Sequence, residues 1–284
     1  MTMIDHYKSG FLRCVKSWKG ILIIWIFTLF LVSILALPLR SGINSVLGKS
    51  MVTELFSNGI NIDVLTDFDK SLGTILSSLA SGLSVALLLG FIMNAFLSGG
   101  IFSLLRTNEK PSASVFFAGG ASNFMSFLII TFISSVLIIL LIILLFGVPL
   151  VIMSAAGSPQ EGAIFKTGRI LALLVVLIIP VFVLLADNAR AWQVSNAGKT
   201  GFRSIGKGFS LTFSNFFFSY FFMVILLAVQ ILFGLLFFNI LSGSHPDTGG
   251  GVFLLFITSQ VLFIFKILLK TWRYGSISSL VESR

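Results

Sequence analysis

LADNARAWQVSNAGKTGFRSIGKGFSLTFSNF, Leu185–Phe216, is the stretch that decides the fold. It is the longest polar interruption between strongly apolar segments in the C-terminal half, and it sets Arg190, Lys199, Arg203 and Lys207 against a single acid, Asp187. It ends in an amphipathic run that feeds straight into another apolar segment. Lys and Arg gather in the cytoplasmic loops of membrane proteins. Placing this stretch on the cytoplasmic face therefore orients everything else.

Composition says why a membrane is the setting. The chain has 284 residues, 56% of them hydrophobic and only 10% charged, with a mean hydropathy of +1.06. Soluble domains carry about 25% charged residues. So few charges cannot cover a water-facing globule, and lipid must solvate most of the surface. The net charge of +9 is dispersed at the ends of apolar runs rather than packed into one basic patch, which argues against nucleic acid as partner. Cys14 is the single cysteine, so an internal disulfide and a Cys-based metal site are excluded. It reads as an inert thiol.

Six apolar runs follow the chain: Gly20–Pro38, Ala80–Leu105, Asn123–Ser154, Lys166–Asp187, Phe216–Leu241 and Val252–Trp272. Each is about long enough to cross a hydrocarbon core of roughly 30 Å. The first is too long for a signal-peptide core and lacks a convincing cleavage site, so it should remain as a span. The expected architecture is all-α: a single domain over 1–284 with six transmembrane helices. Residues 1–19 form a basic interfacial helix, 39–79 an extracytoplasmic loop subdomain, and 188–215 a cytoplasmic amphipathic segment. Asp63, Asp67 and Asp69 cluster in the long loop, where a solvated acidic turn fits better than a calcium site, which wants more oxygen ligands.

Counting basic residues orients the spans. With both termini and the loops after spans 2 and 4 on one side, that side holds 14 of the 19 Lys and Arg; the other holds Arg40, Lys49, Lys70, Lys166 and Arg169. Both termini should then be cytoplasmic, in the inner membrane of a bacterium.

The segments leading into spans 1, 3 and 5 look alike. They are Phe11…Ser17-Trp18, Phe117…Asn123-Phe124 and Phe209…Asn215-Phe216, with Val15, Ala121 and Phe213 four positions after the Phe. Three repeats, each an interfacial helix followed by a hairpin, are the expectation this raises. Chance matches in a Phe-rich chain are the alternative.

No Gly-rich phosphate loop, HExxH or cysteine cluster is present, and neither His6 nor His245 has a triad around it. The expectation is a protein that is not an enzyme and needs no cofactor. Ionisable residues inside a membrane are functional candidates, and Asp187, Arg190, Lys266 and Lys270 gather toward the cytoplasmic ends of spans 4 and 6. In one reading Asp187 pairs with Arg190 or Lys266 and lines a polar cavity. In the other, Asp187 pairs locally with Arg190 at i,i+3 while Lys266 and Lys270 snorkel to headgroups. The second asks less of the sequence. Lys16, Lys19, Lys199, Arg203 and Lys207 are the candidate contacts to anionic lipid headgroups, at roughly 1 kcal/mol each. Gln230, Asn239 and Gln260 are candidate interhelical hydrogen bonders.

Asp187-Asn188-Ala189-Arg190, the basic amphipathic stretch after it, and Asn215-Phe216 resemble a pattern in uncharacterised bacterial six-span membrane proteins. The pattern is also similar to the membrane domain of some glycerophosphodiester phosphodiesterases. The resemblance covers the C-terminal third and implies a six-helix membrane domain. No catalytic domain is attached here, so no activity comes with it. Two functional classes remain: a non-enzymatic scaffold or complex subunit that handles lipid, with anionic lipids and a protein partner or second copy as its company; or a transporter of a small or amphipathic solute.

Overall fold

A computed structural model describes residues 2–47, 69–106, 111–155, 161–196, 200–244, 246 and 248–283. All regular structure among them is helical. The helices are α1 (Met3–Lys16), α2 (Trp18–Leu47), α3 (Asp69–Arg106), α4 (Ala113–Ile142), α5 (Val148–Ala155), α6 (Glu161–Ser195), α7 (Gly201–Ser214), α8 (Phe216–Ser242) and α9 (Gly249–Glu282), with a π-helical turn over Ile143–Gly147 joining α4 to α5. Among the described residues five stretches are long and apolar enough to cross a membrane: Leu79–Arg106, Ala113–Gly147, Thr167–Ser195, Phe216–Ser242 and Gly249–Glu282. The pair α1 and the first part of α2, bent by 68° at its break, makes a sixth if counted as one span. The fold is that of a multi-pass, membrane-embedded helical protein.

The helices run past several expected boundaries. The stretch 39–79, expected as a loop, is helical at both ends: α2 continues through Pro38 to Leu47, and α3 begins at Asp69. Asp63 and Asp67 lie outside the described residues. Residues 188–195 are not part of the amphipathic segment but the last turns of α6. The expected short tail after Trp272 is the end of α9, and Arg273–Leu280 are all buried there. By its contacts the chain falls into two compact units, Ile24–Asn94 and Met1–Ile23 with Ala95–Arg284.

Within Ile24–Asn94, hydroxyls on the spans bond back to their own helix: Thr28 Oγ1 to the Ile24 carbonyl at 2.8 Å, and Ser84 Oγ to that of Ala80 at 2.8 Å. In a setting without water this satisfies the hydroxyl inside one helix.

The larger unit is held at one end of its helices. α1 is nucleated by a capping box, in which the Asp5 carboxylate accepts from the Thr2 N–H at 2.7 Å. It ends at Ser17, after which α2 starts. α7 likewise ends at Asn215, after which α8 starts. Phe11, Phe117 and Phe209 point outward, while the residues just before them (Gly10, Phe116, Gly208) and three after (Cys14, Gly120, Thr212) are buried. The three lead-ins thus share a phase of burial. The middle one is a continuous helix, however, with Asn123 inside α4. The break seen at Ser17 and Asn215 has no counterpart there.

What packs these segments is smallness. A Cβ on Gly10 would collide with the Ser276 backbone and side chain, and one on Gly275 would sit 2.7 Å from the Gly10 carbonyl. A Cβ on Gly208 would sit 2.7 Å from the Leu185 carbonyl, and one on Gly100 2.8 Å from that of Phe116. Close backbone approach of this kind replaces the hydrophobic effect as the packing force in lipid.

Candidate functional site: a buried ion cluster beneath two basic helices

Asp187, on α6, is fully buried. Its Oδ1 accepts from Arg190 Nη1 at 3.0 Å, one turn along the same helix. Its Oδ2 lies 3.0 Å from Arg273 Nε of α9. That second contact is an ion pair by distance, but its N–H axis is off-line and neither atom completes a hydrogen bond. The other donors of the two guanidiniums reach further helices. Arg190 Nη2 donates to Thr131 Oγ1 of α4 at 3.1 Å, and Arg273 Nη1 donates to Gln230 Oε1 of α8 at 3.1 Å. Arg273 also stands 5.2 Å over the Tyr274 ring, a cation–π geometry.

Two guanidiniums around one carboxylate leave an excess positive charge that is out of water. Burying a charge is costly unless it is paired and hydrogen-bonded. Here the excess is spread over a hydroxyl, an amide and an aromatic face. Side chains of α4, α6, α8 and α9 take part, so the cluster ties four helices. One Asp187 oxygen accepts from Arg190 and the other lies beside Arg273, so the carboxylate joins two guanidiniums.

Lys266 and Lys270 lie on α9 as well. Both are exposed on α9, with Lys270 Nζ 5.7 Å over the Tyr274 ring. The partner that links Asp187 across helices is Arg273, which lies just past the last expected span, Val252–Trp272. The signal for it was present: Gly275-Ser276-Ile277-Ser278-Ser279 is a charge-free run of small residues, the composition of a packing face. Gln230 is interhelical glue, also donating to the Leu269 carbonyl at 3.4 Å. Gln260 bonds Ser259 on its own helix, and Asn239 is exposed.

A second layer seats α7 on the same end of α6. Asn188 Nδ2 donates to Thr212 Oγ1 at 3.0 Å, and Ser204 Oγ donates to Gln193 Oε1. α1 is seated on α9 by a parallel set. Trp272 Nε1 donates to the Tyr7 carbonyl at 3.0 Å, His6 Nδ1 and Ser279 Oγ are 3.0 Å apart, and Arg13 grips Glu282 with both terminal nitrogens at 2.9 and 2.6 Å. Tyr7 stacks on Phe222 at 4.3 Å and donates to its carbonyl at 3.0 Å. Cys14 is buried and donates to the Leu268 carbonyl at 3.3 Å; burial pushes its thiol up to about 12, far from the thiolate a nucleophile needs.

Helices α1 and α7 therefore each have three faces, where amphipathicity alone suggests two. On α1 one face (His6, Gly10, Cys14) is buried in protein, an apolar face (Phe11, Val15) is exposed, and Lys16 is exposed beside it; Trp18 and Lys19, exposed at the start of α2, follow across the break, Lys19 Nζ lying 6.0 Å over the Trp18 ring. On α7 the same division gives Gly201, Ser204, Gly208 and Thr212 buried, Phe202, Phe209 and Phe213 exposed, and Arg203 and Lys207 exposed. Lys199 lies outside the described residues. Comparisons of the chain with protein-family models, with curated proteins and with solved structures gave no match.

Proposed function

We propose that this is a non-catalytic, six-pass component of the bacterial cytoplasmic membrane, with both termini cytoplasmic. It acts as a scaffold or complex subunit that holds anionic lipid at the membrane surface. The observation that carries the reading is the three-faced build of α1 and α7. Each is fixed to the bundle through small residues, which leaves an aromatic strip for the acyl region and Lys16, Lys19, Arg203 and Lys207 for headgroups. The basic count of 14 against 5 supports the orientation. The resemblance to the membrane domain of glycerophosphodiester phosphodiesterases points to the same architecture without an activity.

Native mass spectrometry of the full chain in a mild detergent tests this. Several anionic phospholipids, or a stoichiometric protein partner, should be retained. Lys16→Gln, Lys19→Gln, Arg203→Gln and Lys207→Gln together should strip most of the lipid. A lipid complement unchanged by the four substitutions would sink the reading.

Transport is the second reading, favoured by the charge cluster buried among spans and by the π turn at Ile143–Gly147. An Asp187→Asn protein that melts like the parent yet alters solute flux across proteoliposomes would move the assignment to it.

A further inference from the structure

A groove of about 530 Å³ opens between the end of α3, the start of α4 and the end of α6. That volume is in the range of ligand sites, roughly 300–1,000 Å³. Its polar side is made by Arg106, Ser103 and Ser122, and its apolar side by Val115, Ala118 and Val194. Arg106 sits in the last turn of α3. Among the described residues no carboxylate pairs with it, whereas Arg13, Arg190 and Arg273 each have one. The two hydroxyls bond back to carbonyls of their own helices, Ser103 to Gly99 at 2.9 Å and Ser122 to Gly119 at 3.3 Å. A hydroxyl rotor is free to turn its hydrogen toward a stronger acceptor. Phe117, next to the groove on α4, is 41% exposed and marks the surface beside it as apolar.

We propose that this groove binds the phosphodiester of one anionic phospholipid. A guanidinium flanked by hydroxyl donors matches phosphate oxygens, two of which it bonds side by side. The Val115–Ala118–Val194 wall accepts the glycerol and first acyl carbons, which a free inorganic phosphate would leave uncovered. This rests on the reading that this end of the molecule meets anionic lipid, but it differs in kind. The headgroup attraction of α1 and α7 is many-fold and weak, while the groove holds a single lipid.

The test is native mass spectrometry of delipidated full chain titrated with phosphatidylglycerol, with phosphatidylcholine and with inorganic phosphate. One phosphatidylglycerol should be retained more tightly than the rest. Arg106→Gln should weaken that one lipid about tenfold, the worth of a charge-assisted hydrogen bond, with Arg106→Lys in between. Ala118→Leu, at an exposed wall position, should fill the groove and evict the lipid while every charge remains. The four-fold Lys16, Lys19, Arg203 and Lys207 variant should lose the loosely held lipids and keep this one. Retention unchanged in both Arg106→Gln and Ala118→Leu, with parental melting, would overturn the site. So would phosphate binding as tight as that of the lipid, or no preference for phosphatidylglycerol over phosphatidylcholine. Loss of the loose lipids fails or holds independently of these outcomes, so the two proposals are separable.

Discussion

The two ends of helix α8 are built by different rules. Near its start one face is buried, with Phe222, Met223 and Leu226 at most 1% exposed beside an outward Phe217 and Phe221, whereas Leu232, Leu236 and Phe238 farther along are 60–66% exposed. Helix α9 shows the same contrast in reverse order: Phe253 and Leu254 face outward, and Tyr274, Ile277 and Leu280 are buried. Residue type does not explain the difference, since Phe and Leu occur at both ends. The buried ends are the ones that meet glycines, the Asp187 cluster and the seated helices α1 and α7. The lesson is that in lipid an apolar side chain has no drive to leave the surface. Tertiary structure concentrates where small residues admit close approach and where polar groups must find one another.

That contrast breaks first, and most, at the ion cluster. Asp187→Ala leaves Arg190 and Arg273 buried without their carboxylate, and should lower stability by about 3–5 kcal/mol. A thermal melt of purified protein in detergent reads this directly. Next in size is Gly208→Val, whose side chain has no room beside the Leu185 carbonyl and Ala189. Overpacking of this kind costs about 1–3 kcal/mol, and limited proteolysis should cut near α7 before the remaining helices open.

The seat of α1 gives a pH dependence of intermediate size. Burial pushes both Cys14, from an ordinary 9, and Tyr7, from an ordinary 10, up to about 12. The unfolded chain releases these protons first, so stability is full below about pH 9 and falls as pH rises toward 12. Melting temperatures should decline across that window, and Cys14→Ala should flatten part of the decline. A maleimide at neutral pH should label Cys14 only after denaturation.

The smallest effect belongs to the outward half. Phe238→Ala, at a site 66% exposed, should stay within about 0.5 kcal/mol of the parent. If it cost as much as Gly208→Val, the exposed halves would be packing surfaces and the contrast would be lost.

Much of this could be read without coordinates. Scarce charge and long apolar runs required lipid as the solvent and helices as the only backbone that satisfies itself there. The i,i+3 spacing of Asp187 and Arg190 indicated their pairing, and Phe11-Val15-Trp18 marked an outward stripe. The third face of α1 and α7 was not legible, because Gly, Ser, Cys and Thr have hydropathies near neutral. Periodicity reports where apolar residues point, not where small ones do. Helix ends were misplaced for a related reason: polar residues such as Asn188, Arg190 and Gln193, and the run 273–280, look like loop when they are in fact buried.

The sequence by itself determined that the chain is helical, where its apolar spans run, and which residues could meet lipid, because those follow from local composition and the cost of bare backbone in hydrocarbon. Only the tertiary structure decided that Asp187 is clamped by Arg273, that α1 seats on the end of α9, and that Arg106 opens onto a groove. Each joins residues far apart in the chain, through contacts whose geometry local hydropathy does not encode.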